Sequence, residues 1–233
     1  MNVPEHPSYR AYVGHPEAFD VLGASQFLLL FSLGLREFHS VLDVGCGSLR
    51  SGRLLIPFLE RGQYNAIEPN RWLVDSAIRL ELGDVLLSIK EPHFRFSSDL
   101  NLSAFGCSFD YVQAHSVVTH MPHTMISVLF SQVSLVLGDH GIFVGTYLDG
   151  QADFTGSDWI YPELVSYRWE TIRQTAERFC LRACRLVWPH PRQIYFLLTK
   201  KREVLDAIVA SRLTPYSPSP PRLLDKLIIK EES

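Results

Sequence analysis

Short apolar runs alternate along this chain with longer segments whose apolar residues recur at helical spacing, the pattern of an α/β protein. Val41, Leu42 and Val44 read as a strand buried on both faces, as strands of parallel sheets are. Residues 63–68, 94–99, 109–115 and 141–147 read as four more strands. Residues 18–36 predict an amphipathic helix carrying Phe27, Leu28, Leu30 and Phe31. Further helices are predicted over 51–61, shortened or kinked by Pro57, and over 71–89, interrupted near Gly83. Pro122 opens another that Gly138 should stop, and residues 163–179 make the next. Two closing strands, 185–188 and 193–199, flank a tight turn at 189–192 and must therefore be antiparallel, since a parallel crossover needs about a dozen residues or more.

The first strand ends in the most informative stretch, Val41-Leu-Asp-Val-Gly-Cys-Gly47. Gly45 and Gly47 allow a sharp turn and a close approach to the backbone, and the turn feeds a helix N-terminus, where free N–H groups favour a polar or anionic ligand group. A dinucleotide fingerprint needs a third glycine three residues after the second; Arg50 stands there, and Gly52 comes two positions late. Asp43 would face phosphate charge in such a site, whereas it suits a cofactor with an ammonium and a sulfonium group and no phosphate. Glu68 follows Gly47 by 21 residues at the end of the second strand, the position of an acid that binds ribose hydroxyls. Asp99 ends the third strand in the same way.

On these residues the chain resembles the class I S-adenosylmethionine-dependent methyltransferases, over roughly 38–200. Phe109-Asp-Tyr-Val112 matches the fourth strand of that family, and Tyr9 to Gly14 with Gly23 to Gln26 is similar to the lead-in of its bacterial small-molecule members. The resemblance departs at Leu49, where a third glycine is common. It implies a Rossmann-like, doubly wound, mainly parallel seven-stranded sheet with an antiparallel last strand. It also implies S-adenosylmethionine as cofactor, held by Asp43, Gly45, Cys46, Gly47 and Arg50 at the turn, Glu68 at the ribose, Asp99 with Leu100 on the adenine side, and the backbone of His115. The expected organisation is a helical cap over 1–37, the methyltransferase domain over 38–200, and a tail over 201–233.

That tail continues as a helix over 201–212, then a proline-rich spacer at 214–221 that cannot form a core element. An apolar patch at 223–229 is expected to dock on this chain or on a partner. A net charge of −3 gives no basic field to recruit nucleic acid. Cys46, Cys107, Cys180 and Cys184 make neither a disulfide framework nor a zinc pattern. The N-terminus lacks a secretory signal, and the apolar stretch 27–35 is too short for a bilayer, so the cytoplasm is the expected compartment.

Chemistry is expected beyond the fourth strand. His115 and His120 are candidate bases for taking a proton from an acceptor hydroxyl, while His123 reads as surface. The segment 147–161 is the expected acceptor region, with Tyr147, Trp159 and Tyr161 as substrate contacts. Asp149, Asp153 and Asp158 are too irregularly spaced for a metal-ligand pattern. O-methylation of a small molecule, a sugar or a natural product, is the expected reaction. A cofactor-binding subunit without turnover and a dinucleotide-dependent oxidoreductase remain as alternatives. Oligomeric state is open.

Overall fold

The computed structural model describes residues 8–211, so the proline-rich spacer and the apolar patch of the tail lie outside the described residues. The chain clusters into two compact units that meet in sequence at Asp99/Leu100.

The first unit begins with α1 (Tyr9–Tyr12) and a 3-10 turn (Pro16–Ala18), followed by α2 (Phe19–Ser32). Gly34, at φ +99°, ends α2 early: its N–H bonds Phe31 O and the Leu35 N–H reaches back to Leu30 O, a left-handed cap. Then come β1 (Val41–Val44), α3 (Gly52–Phe58), β2 (Tyr64–Ile67), α4 (Arg71–Ala77), a π-helical turn (Ile78–Leu82), α5 (Asp84–Lys90) and β3 (His93–Arg95). β1, β2 and β3 pair in parallel, and β1 and β2 are buried at every position, as their apolar runs predict. Pro57 shortens α3, and the predicted break near Gly83 falls at the π turn. The third strand is shorter than expected. Its ladder ends where the Glu68 N–H bonds Arg95 O (3.0 Å), so Asp99 lies four residues past the strand rather than at its tip.

The second unit starts with a 3-10 turn (Leu102–Phe105), β4 (Phe109–Ala114), a second 3-10 turn (Val118–His120), α6 (His123–Val136) and β5 (Leu137–Asp149). It continues with β6 (Ser166–Tyr167), α7 (Trp169–Glu177), β7 (Arg182–Arg185), β8 (Ile194–Thr199) and α8 (Arg202–Ala210). β4 and β5 are parallel, while β8 is antiparallel to both β5 and β7, the reversed ending expected of the fold. Gly138 does not stop α6; it lies inside β5, in the irregular stretch where a Cβ at Gly138 or Gly141 would crowd Phe109 O. The closing hairpin is looser than predicted. β7 ends at Arg185, and the connection through Pro189 and Pro191 is organised by His190 Nδ1, which accepts the N–H groups of Arg192 (3.2 Å) and Gln193 (2.9 Å).

The predicted helix over 163–179 holds only from Trp169. Its leading residues instead form β6, an eighth strand that pairs in parallel with the end of β5 and is anchored by Tyr167 Oη, which donates to Met121 O (2.9 Å). No helix among the described residues is long and apolar enough to cross a membrane.

Candidate functional site

In the first unit, the glycine turn is built by three left-handed residues: Gly45 (φ +68°), Gly47 (φ +53°) and Leu49 (φ +55°). Leu49 occupies the place of the missing third glycine and keeps its backbone conformation. A left-handed non-glycine residue costs about 1–2 kcal/mol; the fully buried Leu49 side chain offsets this. Leu49→Ala should therefore keep the strain and lose the packing, whereas Leu49→Gly loses only the packing. In urea unfolding, Leu49→Gly is expected to be the more stable of the two by about 1 kcal/mol, the reverse of the usual order. Equal or reversed stabilities would show that the turn is unstrained.

Glu68 helps to build the turn. Its Oε2 accepts the Gly47 N–H (3.0 Å), and its Oε1 accepts both the N–H (2.9 Å) and the side-chain amide (3.0 Å) of Asn70. A carboxylate has about four acceptor positions, so one remains on Oε2 for a ligand hydroxyl. Asp43, 3% exposed, accepts from Tyr64 Oη (2.8 Å) and Ser51 Oγ (3.4 Å). Gly52 permits this arrangement: a Cβ there would lie 2.5 Å from Tyr64 Oη. Burial, together with the nearby Asp43 and Glu68 carboxylates, pushes the Cys46 thiol well up, so it stays protonated and serves as packing.

Arg50 turns away from the bend and onto the lead-in, donating to Val13 O (3.1 Å) and Gln26 Oε1 (3.4 Å). Ser48 Oγ donates to Tyr9 O, and a Cβ at Gly47 would meet Val13 Cγ1 at 2.7 Å. Gly23 lets α2 press on the same place, because a Cβ there would sit 2.4 Å from Arg50 O. The motif residues of the lead-in thus fasten it to the turn. Asp99 is half-exposed, 3.7 Å from Arg95 Nη2, and its N–H bonds Ser97 Oγ (3.2 Å). The structure brings Asp43 and Glu68 together around Cys46.

In the second unit, the chain leaves β4 through His115 and Ser116. His115 is buried, with Nε2 3.0 Å from Gln113 Oε1 and its ring edge-on to Tyr195. Ser116 is left-handed (φ +57°); its N–H bonds Thr146 Oγ1 (2.7 Å) and its hydroxyl bonds the Gln193 amide (3.0 and 3.2 Å). Such strain at a strand end is a common mark of functional loops. Leu100 shares it, at φ +52° and nearly buried.

His120 is placed differently. It is 6% exposed, and its Nδ1 lies 2.8 Å from Ile160 O and 2.9 Å from Glu163 O. Two carbonyls can only accept, so Nδ1 carries the proton and Nε2 is left as the acceptor nitrogen. Nε2 has no hydrogen-bond partner among the described residues. Burial holds the imidazole below its usual pKa range, opposed by the two carbonyl bonds, so it is neutral at pH 7. Trp159 and Tyr161 flank the ring at centroid distances of 5.4 and 5.2 Å, each some two-fifths exposed.

The loop that carries these aromatics is tied down at both ends. Ile160 N–H bonds His120 O (2.9 Å) and Val165 N–H bonds Thr119 O (2.8 Å). Asp153, held down to about 2 mainly by Arg168, clamps Arg168 and Thr171. Tyr147 is not beside them. It is fully buried against Trp169 and Phe196, with its hydroxyl on Asp149 (3.2 Å), because it projects from the core face of β5. His123 is half-buried rather than on the surface, bonded to Thr175 Oγ1 (2.9 Å). The sequence reading missed Tyr64, Ser116 and Gln193; Tyr64 lies in a strand buried on both faces, but nothing local marks the other two.

No protein-family model matches the chain. Solved structures share its fold. It is similar to magnesium protoporphyrin IX methyltransferase (ChlM) of Synechocystis with SAM bound: 13% identity, 86% of this chain and 87% of that one covered, TM-score 0.59. The sugar N-methyltransferase KedS8 of Streptoalloteichus matches at 14% identity over 87% and 96% of the two chains, TM-score 0.60. A TehB-like SAM-dependent methyltransferase of Corynebacterium glutamicum matches at 17% identity over 77% and 88%, TM-score 0.54. These likenesses establish the fold: the chain has the Rossmann-like α/β architecture of the class I methyltransferases.

Proposed function

We propose that this protein is an S-adenosylmethionine-dependent methyltransferase that methylates a hydroxyl of a small organic acceptor. The observation that carries the reading is the Glu68 carboxylate seated on the Gly47 N–H, with Asp43 buried beside the same turn, in a fold shared with methyltransferases. The donor set fits the cofactor. Two buried carboxylates that accept from neutral hydroxyls and amides suit an ammonium and ribose hydroxyls, and they oppose a pyrophosphate. Bound there, S-adenosylmethionine supplies a methyl group on a sulfonium sulfur, which leaves as a neutral thioether.

The chain's own residues do the rest. Glu68 offers its remaining lone pair to the ribose, Asp43 sets the potential at the turn, and the glycines let the ligand reach the backbone. His120 takes the acceptor's hydroxyl proton at Nε2, while Ile160 and Glu163 hold its tautomer. His115, whose Nε2 is on Gln113 and whose Nδ1 is closed off from solvent, is the poorer base because an acceptor cannot reach it. The catalytic domain in this reading spans 38–200, with 1–37 as cap and 201–233 as tail. The four cysteines are free, which suits a reducing compartment such as the cytoplasm.

Titration calorimetry of the full chain tests the cofactor. Saturable binding of S-adenosylhomocysteine with none of NADH is expected; the opposite would make it a dinucleotide enzyme. Transfer of labelled methyl groups to a panel of acceptors then separates an enzyme from a cofactor-binding subunit, which would bind without turnover.

A further inference from the structure

His120, Trp159 and Tyr161 stand together in the second unit with a specific chemistry. A nine-tenths buried imidazole keeps one nitrogen without a partner among the described residues, and two aromatic rings that remain partly open to solvent flank it. Nε2 is not among the nitrogens sealed from solvent, so it stays open to accept from a donor that comes from outside the chain. The flanking groups are rings rather than the fan of amides and carboxylates needed to read a sugar's several hydroxyls. The loop also holds these rings in place: the backbone bonds of Ile160 and Val165 and the Asp153–Arg168 clamp leave little to order on binding.

We propose that Trp159, Tyr161 and His120 form a slot for a planar aromatic acceptor bearing a hydroxyl, its ring stacked on the open indole and phenol faces and its O–H donating to His120 Nε2. The inference rests on the methyltransferase reading for its reaction, though not for its binding. Acidity points the same way. A neutral imidazole held below its ordinary range is a weak base. It deprotonates a phenol, with a pKa of about 10, far more readily than an aliphatic hydroxyl, which is a much weaker acid.

The test uses the full chain, with 2-naphthol as a planar phenol and methyl α-D-glucoside as a sugar hydroxyl, both titrated calorimetrically without methyl donor. 2-Naphthol should bind saturably and the glucoside should not. Trp159→Ala should weaken naphthol binding about tenfold, while Trp159→Phe, which keeps a stacking face, should stay within about threefold of wild type. Saturable glucoside binding without naphthol binding, or an unchanged affinity in Trp159→Ala, overturns the slot. S-adenosylhomocysteine titrated into the same proteins keeps the two ideas apart. Naphthol bound without S-adenosylhomocysteine supports the slot and sinks the methyltransferase reading; S-adenosylhomocysteine bound without naphthol sinks the slot alone.

Discussion

Replacing His120 by glutamine is expected to lower kcat by about 10²–10⁴-fold, the usual contribution of a positioned general base, and to leave S-adenosylhomocysteine affinity unchanged. Glutamine is the informative choice because its amide can still donate to Ile160 O or Glu163 O, the bonds that tie His120 to the aromatic loop. Alanine would lose the base and the tether together. The pH profile supplies a second readout. Burial lowers the imidazole pKa in the folded protein, so the reactive neutral form persists to lower pH than in a free histidine. In the wild type kcat/KM should rise with pH up to a pKa below about 6.5 and stay flat above it, and in His120→Gln this limb should vanish.

Stability follows with a defined sign. Between the lowered folded pKa and about 6.5, the unfolded chain binds the proton more readily. The wild type should therefore lose stability as pH falls through that window and be indifferent to this group above it. Thermal unfolding of the two proteins at pH 5.5 and 7.5 measures the difference. A wild-type acid limb retained in the glutamine variant would move the base elsewhere.

The second large effect is expected at Glu68. Removing its carboxylate orphans the Gly47 N–H and two donors of Asn70 along with the ribose contact. Glu68→Ala should weaken S-adenosylhomocysteine binding about tenfold or more and cost about 1–3 kcal/mol of folding stability. Glu68→Gln keeps one acceptor oxygen. Its expected loss of stability is smaller, while its loss of affinity stays large, because a neutral amide loses the charge-assisted bond. The split between the two variants separates ligand contact from turn support. Affinity that simply tracked stability in both would mean that Glu68 only builds the turn.

Much of this was legible in the chain before any coordinates. The both-face burial of β1 and β2, the left-handed glycines and the acid 21 residues beyond Gly47 all follow from local chemistry: apolar runs, a missing Cβ, a charge at a strand end. The interruption at Gly83 and the reversed β8 were readable for the same reason. Other expectations failed where long-range pairing overrode local pattern. Ser166 and Tyr167 fit a helix by spacing, yet the free edge at the end of β5 takes them as β6. Asp99 sits at the end of an apolar run, but the ladder stops at Arg95.

By itself the sequence determined the alternation of strands and helices, the glycine bend and the acidic pair that flanks it, because backbone freedom and hydrophobic period belong to each residue and its near neighbours. Only the tertiary structure decided that Tyr147 belongs to the core and that His120 sits against the rings of the loop with its Nδ1 on two carbonyls. The tautomer of His120 is set by carbonyls 40 and 43 residues away. Carbonyls are common to every residue, so no letter of the sequence marks those two; folding alone brings them to the ring.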